Sequence, residues 1–214
     1  MYKFKSSKKN EVYIIIILKN FFKISLNSPK MILEIHEITS EILNCDLSDP
    51  EIEAITFDDG LYTQFLNYKH FLQFKKPLYY FISPAIIGKP GFQNSRLIEC
   101  WRAHEIFFKT GRADYYMSWD NIKELSEVAE IGGHTFNHPN LRGLKLTEQL
   151  KIAKEQIDLM MQAFKGHNIK IESFAYPYDY EFFGFKFLLK KHGIKKLFGE
   201  NRITIENYML KNVI

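Results

Sequence analysis

The chain of 214 residues is long enough for one domain with a sizeable buried core. Hydrophobic residues make up 46% and charged residues 25% of the sequence, and this ordinary balance excludes a generally disordered chain. The formal net charge of +4 is scattered without an arginine-rich block, so we predict no binding to nucleic acid. The two cysteines, Cys45 and Cys100, match no metal or redox spacing, and we expect free thiols, with a single disulfide as the alternative.

The first thirty residues differ in composition from the rest. Lysines precede a short apolar run at residues 12–18, which is far shorter than the roughly 20 residues that span a bilayer. A basic start and an apolar middle are typical of a secretion signal, but no small-residue cleavage site follows. We therefore interpret residues 1–30 as a leader or a start-site extension that could be disordered, without a transmembrane span. Residues 31–214 are the predicted domain, with Met31 as the favoured biological start.

The first half of the domain contains three predicted strands, identified by β-prone or alternating runs. These strands cover residues 31–36, 54–57 and 77–82, with a helix predicted at 62–74. The second strand is stopped by Asp58-Asp59-Gly60. Residues 88–112 are predicted to form a long loop rich in glycine, aromatic and polar residues, and such loops are more often functional than idle.

The second half of the domain is more regular. Ser118 is predicted to cap a helix at residues 119–125, and Thr147 a long amphipathic helix at 148–164. Further strands are predicted at 129–133, 169–175 and 194–199, and a last helix at 182–192 that ends at Gly193. Strands that alternate with helices indicate an α/β fold with parallel strands, whose chemistry collects at the carboxyl ends of the strands.

Two acidic residues, Asp58 and Asp59, follow the second predicted strand. A divalent cation would keep one of them ionised as a ligand and leave the other available as a base. Gly60 lets the chain turn so that both carboxylates can reach the mouth of the fold. Taken alone, however, Asp-Asp-Gly is more typical of a solvated turn.

Two histidines, His134 and His138, follow the fourth predicted strand. Residues four apart lie on one side of a helical turn, so both imidazoles could point at a common centre. Imidazole and carboxylate ligands suit zinc, and cobalt, nickel or iron would also fit. Such an ion would lower the pKa of a bound water from about 15.7 towards about 7. The alternative is a pair of surface histidines at a helix start.

The segment Tyr176-Pro177-Tyr178 follows the predicted strand at 169–175. A backbone amide near Tyr178 could donate a hydrogen bond to a developing oxyanion. Considered by itself, the segment is more typical of an aromatic strand end that packs in the core.

Three segments, taken in the order in which they occur in the chain, resemble the first three motifs of the NodB-like polysaccharide deacetylases, the fourth carbohydrate esterase family. They are Thr56-Phe57-Asp58-Asp59-Gly60, His134-Thr135-Phe136-Asn137-His138-Pro139 and Tyr176-Pro177-Tyr178. Tyr116-Met117-Ser118-Trp119 also looks like that family. The resemblance covers residues 31–199.

The resemblance implies a deformed (β/α) barrel of about seven strands, with different or incomplete closure at its C-terminal end. It implies that Asp59, His134 and His138 hold a divalent metal, with zinc favoured over cobalt, nickel or iron, and that Asp58 is the catalytic base. The backbone N–H of Tyr178 would stabilise the oxyanion, while Tyr176, Pro177 and Trp119 would contact the substrate. The implied reaction is hydrolysis of N-acetyl groups on an amino-sugar polysaccharide or oligosaccharide.

The sequence departs from the family pattern in two respects. Ala175 stands where the family usually has an arginine that orients the base, and Asp179 stands where glycine is usual. The late histidine that serves as general acid in the family has no clear counterpart. We name His36, at the end of the first predicted strand, as the candidate general acid. Weak or lost activity is the alternative.

Other functions stay open at this point. The chain could be an inactive glycan-binding module of the same fold, or an amidase or deformylase acting on a small or lipid-linked sugar. An iron oxygenase also uses two histidines and a carboxylate, but its usual ligand order is different. A cytoplasmic location is slightly favoured over export or the cell envelope, and the sequence leaves the oligomeric state open.

Overall fold

The structure is a computed structural model that describes residues 30–212. Apart from Lys30, the predicted leader lies outside the described residues. Seven strands form one sheet in the described part of the chain. They are β1 (Met31–Ile35), β2 (Ile52–Phe57), β3 (Leu78–Ile82), β4 (Glu130–Gly133), β5 (Ser173–Ala175), β6 (Lys196–Phe198) and β7 (Ile203–Thr204).

Every pairing in this sheet is parallel, and the strand order is β6-β5-β4-β3-β2-β1-β7. The first six strands therefore lie side by side in chain order, and β7 extends the sheet beyond β1. Between residues 30 and 212, β6 and β7 form opposite edges without pairing with each other. The sheet is a half-open barrel, which confirms the predicted deformed (β/α) barrel of about seven strands.

Eight α-helices connect or flank the strands within residues 30–212. They are α1 (Ser40–Leu43), α2 (Tyr62–Leu66), α3 (Tyr68–Leu72), α4 (Cys100–Thr110), α5 (Trp119–Leu125), α6 (Leu146–Gly166), α7 (Phe183–Lys191) and α8 (Ile205–Asn212). Ser118 caps α5 through its side chain, as predicted. None of the helices in this part of the chain combines the length and apolarity that crossing a bilayer requires.

The core lies between the sheet and the helices packed on it. In α6, Ala153, Ile157, Met160 and Phe164 are buried and recur on one face, as the amphipathic pattern predicts. On the sheet, the rings of Phe57 and Tyr80 stack with their centroids 4.5 Å apart. These contacts fix the carboxyl ends of the central strands relative to one another.

Several predicted elements need correction. The predicted loop at residues 88–112 contains the 11-residue helix α4. Its helical periodicity is hidden because large apolar residues also face solvent, with Trp101 61% and Phe108 57% exposed. The predicted helix at 62–74 is divided into α2 and α3 at Asn67.

The ends of other elements also differ from the prediction. Helix α6 begins two residues earlier than predicted, after Lys145, so Thr147 lies inside it rather than at its cap. The predicted strand at 169–175 shortens to β5, and β7 and α8 were not predicted. Gly193, with a φ of 84°, follows α7 in the left-handed conformation, as expected for the end of a helix.

Glycine at 132 and 133 is a packing requirement of β4. A Cβ at Gly132 would lie 2.5 Å from the ring of the fully buried Phe81 and 2.6 Å from Ser173 Oγ. A Cβ at Gly133 would lie 2.4 Å from Met160 Sδ. The two glycines therefore let β4 approach its neighbours closely just before His134.

We expect Gly132→Ala to lower the free energy of unfolding by about 1–3 kcal/mol, because overpacking forces buried neighbours to shift. Urea unfolding of the two proteins gives this difference from their midpoints and slopes. Gly166→Ala at the end of α6 is the control, since its Cβ would meet nothing within 4 Å. Equal midpoints for Gly132→Ala and the unsubstituted protein would contradict this account of β4.

Candidate active site

A cavity of about 440 Å³ lies at the carboxyl ends of the strands and contains most of the predicted site residues. Its lining includes His36, Asp58, Asp59, His134, His138 and Tyr178. A larger cavity, of about 830 Å³, is lined by residues of α6 and the segments near β5 and β6. That cavity contains none of the predicted site residues, so the chemistry is concentrated at the smaller one.

The segment after β2 carries both carboxylates into this cavity. Asp59 and Gly60 have φ values of 71° and 73°, so the chain turns sharply after Asp58. Asp58 and Asp59 are 1% and 3% exposed. The solvated-turn alternative is thereby excluded, because both carboxylates are buried in the site.

Three of the predicted residues converge on one point. Asp59 Oδ1 lies 3.3 Å from His138 Nε2 and 3.6 Å from His134 Nε2, and the two Nε2 atoms are 3.1 Å apart. Ligands bound at about 2.0–2.1 Å in a tetrahedron are separated by about 3.3–3.4 Å. The three atoms therefore have the spacing of one face of a tetrahedral metal site.

The segment from His134 to His138 is a loop, whereas a helical turn was predicted. Thr135 and His138 adopt left-handed conformations with φ values of 62° and 57°, which turn the two imidazoles towards each other. Thr135 Oγ1 accepts a hydrogen bond from the His138 amide at 3.1 Å. Gln156 Oε1, from α6, accepts hydrogen bonds from the amides of Phe136 and Asn137. The loop is therefore held in shape by side chains as well as by its backbone.

Hydrogen bonding and burial prepare the histidines as ligands. His134 Nδ1 donates to the Ala175 carbonyl oxygen at 2.8 Å, so the lone pair of the neutral ring is on Nε2, which faces Asp59. Burial lowers the pKa of His134 to about 4 and also lowers that of His138. Both rings are therefore neutral near pH 7, the form that binds metals.

Asp58 is held by Arg202, a residue that the sequence analysis did not identify. Arg202 Nη1 lies 2.7 Å from Asp58 Oδ1, and Nη2 lies 2.8 Å from both Glu34 Oε1 and Asp179 Oδ1. The guanidinium is fully buried. Burial alone would raise the pKa of Asp58, but Arg202 and His134 lower it, so the carboxylate is ionised.

Arg202 thus brings a guanidinium to Asp58, the predicted base, although Ala175 stands where the family usually has an arginine. It precedes β7, more than 140 residues from Asp58, and no local pattern marks it. Asp179 has a φ of 52°, which agrees with the family's preference for glycine there. Its carboxylate is one of the three that Arg202 binds.

His36 lies at the edge of the cavity, just after β1. Its Nε2 atom is 3.8 Å from Asp59 Oδ2 and 3.8 Å from Glu34 Oε1, and its side chain is 35% exposed. Burial opposes protonation, but Asp59, Asp58 and Glu34 together raise the pKa of His36 above its ordinary value. This histidine can therefore carry a proton beside the predicted metal ligands.

Tyr178, the predicted oxyanion donor, also faces the cavity, while the predicted substrate contacts do not. The ring of Tyr178 packs edge-on against His138, with centroids 4.7 Å apart, and its carbonyl oxygen accepts a hydrogen bond from Arg142. Tyr176 and Pro177 are buried, and Tyr176 packs against Phe185 in the core.

Trp119 lies away from the cavity as well. It stacks on His167, with centroids 3.9 Å apart, and packs on the core. The prediction that Tyr176, Pro177 and Trp119 contact substrate is therefore corrected, because burial removes the first two from solvent and packing at α5 removes the third from the site.

Two further side chains in the cavity, Cys100 and His104, come from α4 and were not predicted as site residues. Cys100 Sγ lies 2.9 Å from Asp59 Oδ2, and His104 Nε2 lies 3.4 Å from Asp59 Oδ1. The signal available in the sequence was the four-residue spacing of Cys100 and His104. It was missed because residues 88–112 were predicted as a loop. Both cysteines are free thiols, as expected.

Comparison with known proteins agrees with the motifs. The family model for polysaccharide deacetylase matches residues 93–197, which include both histidines and Tyr178 but begin after Asp58 and Asp59. A search of curated protein sequences found no significant match. The matched segment and the ordered motifs confirm the resemblance to the NodB-like polysaccharide deacetylases.

Three solved structures resemble the whole domain. IcaB from Ammonifex degensii is 16% identical with a TM-score of 0.58, over 86% of this chain and 95% of that chain. A de-N-acetylase from Aggregatibacter actinomycetemcomitans is 13% identical with a TM-score of 0.53, over 94% of this chain and 88% of that chain. The BpsB deacetylase domain from Bordetella bronchiseptica is 13% identical with a TM-score of 0.51, over 88% of this chain and 82% of that chain. At these identities the likeness shows the fold alone.

We expect Arg202→Met to lower the free energy of unfolding by about 3–5 kcal/mol, because it leaves buried carboxylates without their cation. Urea unfolding measures the loss, with Arg96→Met as a control at an exposed arginine. If both substitutions changed the unfolding midpoint equally, the buried ion pairs would not hold this part of the fold together.

Proposed function

We propose that this protein is a metal-dependent hydrolase that removes N-acetyl groups from an amino-sugar polysaccharide or oligosaccharide. The observation that carries the proposal is the convergence of Asp59, His134 and His138 on one point, with the Arg202-bound carboxylate of Asp58 beside it. Asp58 Oδ2 lies 3.9 Å from His134 Nε2, which is close enough to serve the same reacting centre.

The three ligand residues fit a divalent cation. Asp59 Oδ1 is buried and has no hydrogen-bond partner among residues 30–212, although three imidazole nitrogens lie 3.3–3.6 Å from it. One carboxylate and two neutral imidazoles favour zinc, and also suit cobalt, nickel or iron. When bound, such a cation supplies Lewis-acid polarisation and acidifies a water molecule.

Asp58 is assigned the role of general base. Its Oδ1 is occupied by Arg202, while its Oδ2 faces His134 and is oriented towards the centre of the site. Because the guanidinium keeps the carboxylate ionised, Asp58 can accept a proton from an attacking water at neutral pH.

Two other groups are assigned to the later stages of the reaction. The backbone N–H of Tyr178 is the proposed donor to the oxyanion that forms on the acetyl carbonyl. His36 is the proposed general acid, since amine expulsion from the tetrahedral intermediate requires a proton. Its raised pKa and its partial exposure at the cavity suit that role.

The cavity suits a saccharide substrate. Trp101 lines it and is 61% exposed, and Tyr178 lines it and is 46% exposed. Aromatic surfaces of this kind pack against the apolar faces of sugar rings, and the open mouth gives access to a chain longer than one sugar. Two of the three similar structures are a deacetylase domain and a de-N-acetylase, which supports deacetylation as the reaction class.

We expect zinc- or cobalt-loaded protein to release acetate from oligomers of N-acetylglucosamine, and Asp58→Asn to lower the rate by at least about 100-fold. The amide keeps the shape of Asp58 but cannot accept the proton, so metal content should stay unchanged. Enzymatic acetate determination and elemental analysis measure the two quantities.

Asp120→Asn, an exposed change at the start of α5, is the matched control and should leave the rate unchanged. Acetate release no greater than that of Asp58→Asn, with metal bound, would argue against catalysis. Glycan binding that persists equally in both proteins without turnover would then favour a glycan-binding module.

We expect His36→Ala to reduce amide hydrolysis by about 100-fold or more, because the departing amine must be protonated. Hydrolysis of an activated aryl acetate should change little, since an aryloxide leaves without a proton. Initial rates on both substrates, at matched metal content, provide the measurement. His134→Ala should lower both rates. An equal loss on both substrates in His36→Ala would show that His36 is not the general acid.

A further inference from the structure

A second group of metal-ligand side chains surrounds Asp59 on the side of α4. We propose that Asp59, Cys100 and His104 form a second cation site, which shares the Asp59 carboxylate with the site of His134 and His138. Each of the three residues offers one ligand atom, and these atoms lie within 4.8 Å of one another. This inference concerns metal binding and does not rest on the proposed deacetylation.

Helix α4 places the two new ligands on one face. Cys100 and His104 are four residues apart, so their side chains lie one turn apart on the same side of the helix. Cys100 Sγ is 2.9 Å from Asp59 Oδ2 and 3.9 Å from His104 Nδ1. The helix thus presents a thiol and an imidazole to one carboxylate.

The two oxygens of Asp59 differ in their neighbours, which allows the carboxylate to bridge. Oδ1 is approached by His138, His134 and His104, whereas Cys100 contacts Oδ2. The two ligand groups, Asp59-His134-His138 and Asp59-Cys100-His104, are separate apart from Asp59. A carboxylate can bind one cation through each oxygen, so occupation of one site does not exclude occupation of the other.

The burial of these groups is better explained by a cation than by a hydrogen bond alone. A Cys100 thiol that donates to Asp59 Oδ2 would account for the 2.9 Å contact. It would leave His104 Nε2 buried and without a hydrogen-bond partner among residues 30–212. An unsatisfied buried polar atom is costly, and a cation bound by His104 would satisfy it.

The ligand chemistry indicates which cation would bind. A thiolate with an imidazole and a carboxylate favours zinc or another borderline transition metal over magnesium or calcium, which prefer oxygen ligands. Cys100 and His104 both line the 440 Å³ cavity, so the ion has a route of entry.

Cobalt titration of the metal-free full-length protein tests the proposal. Cobalt bound by a thiolate gives a sulfur-to-metal charge-transfer band in the near ultraviolet, and a thiol that only donates a hydrogen bond gives none. We expect two equivalents of cobalt to bind, with this band present. Cys100→Ser should abolish the band and reduce binding to one equivalent.

Two control variants separate the sites. Cys45→Ser removes the other cysteine, which lies outside the cavity, and should keep both the band and two equivalents. His134→Ala should lose one equivalent but keep the band. Since these readouts are spectroscopic and stoichiometric, they are independent of whether acetate is released from any glycan.

Absence of the band at saturating cobalt would overturn the second site. One equivalent in the unsubstituted protein, with a band that disappears in His134→Ala, would overturn it as well, because the thiolate would then belong to the first ion. His104→Gln provides a second variant should Cys100→Ser fail to fold, as judged by circular dichroism. It should also bind one equivalent, and retention of two would contradict the proposal.

Discussion

The buried ion pairs of Arg202 are the interaction on which both the half-barrel and the site depend. The guanidinium binds carboxylates from three separate parts of the sheet: Glu34 in β1, Asp58 after β2 and Asp179 after β5. A buried arginine of this kind is tolerated only when its partners are fully arranged, since desolvation of the charge is costly. The same contacts that tie the segment before β7 to the sheet therefore keep Asp58 ionised.

Left-handed backbone conformations are concentrated where the site is built. Among the described residues, seven non-glycine residues have positive φ, and five of them lie in the three site loops. These five are Asp59, Thr135, His138, Tyr178 and Asp179. Such conformations cost on the order of 1–3 kcal/mol each when the surrounding structure does not favour them. Here they turn ligand and donor groups inward immediately after a strand ends, which a regular helix or strand would not do.

The sequence revealed those parts of the site that depend on short contiguous motifs. Asp58, Asp59, His134 and His138 were identified because each pair sits directly after a predicted strand, and parallel strands bring such segments to one edge. The predicted helical turn at the histidines was wrong, since φ values at Thr135 and His138 are set by tertiary contacts such as those of Gln156.

Arg202, Cys100 and His104 could not be found in the same way. Arg202 reaches Asp58 across 144 residues, and Cys100 reaches Asp59 across 41, so only the fold brings these pairs together. Tyr176 shows the converse difficulty. It belongs to a recognised motif, yet the packing of Phe185 against it makes it a core residue. No sequence pattern distinguishes a position in the core from a position that faces the cavity.

We propose different roles for the two adjacent aspartates because their counter-charges differ. Asp58 has a permanent cation in Arg202, which completes its charge balance within the protein. Asp59 is surrounded by imidazoles instead, and burial lowers the pKa values of His104, His134 and His138, so that these rings favour the neutral form. Of the four described histidines around Asp59, His36 at the edge is the one with a raised pKa. The buried charge of Asp59 is therefore met mainly by neutral rings, and the lone pair of His134 Nε2 faces it. One carboxylate among several neutral imidazoles carries a negative charge that a divalent cation would balance. This uncompensated charge is the physical reason to assign metal binding to Asp59 and proton transfer to Asp58.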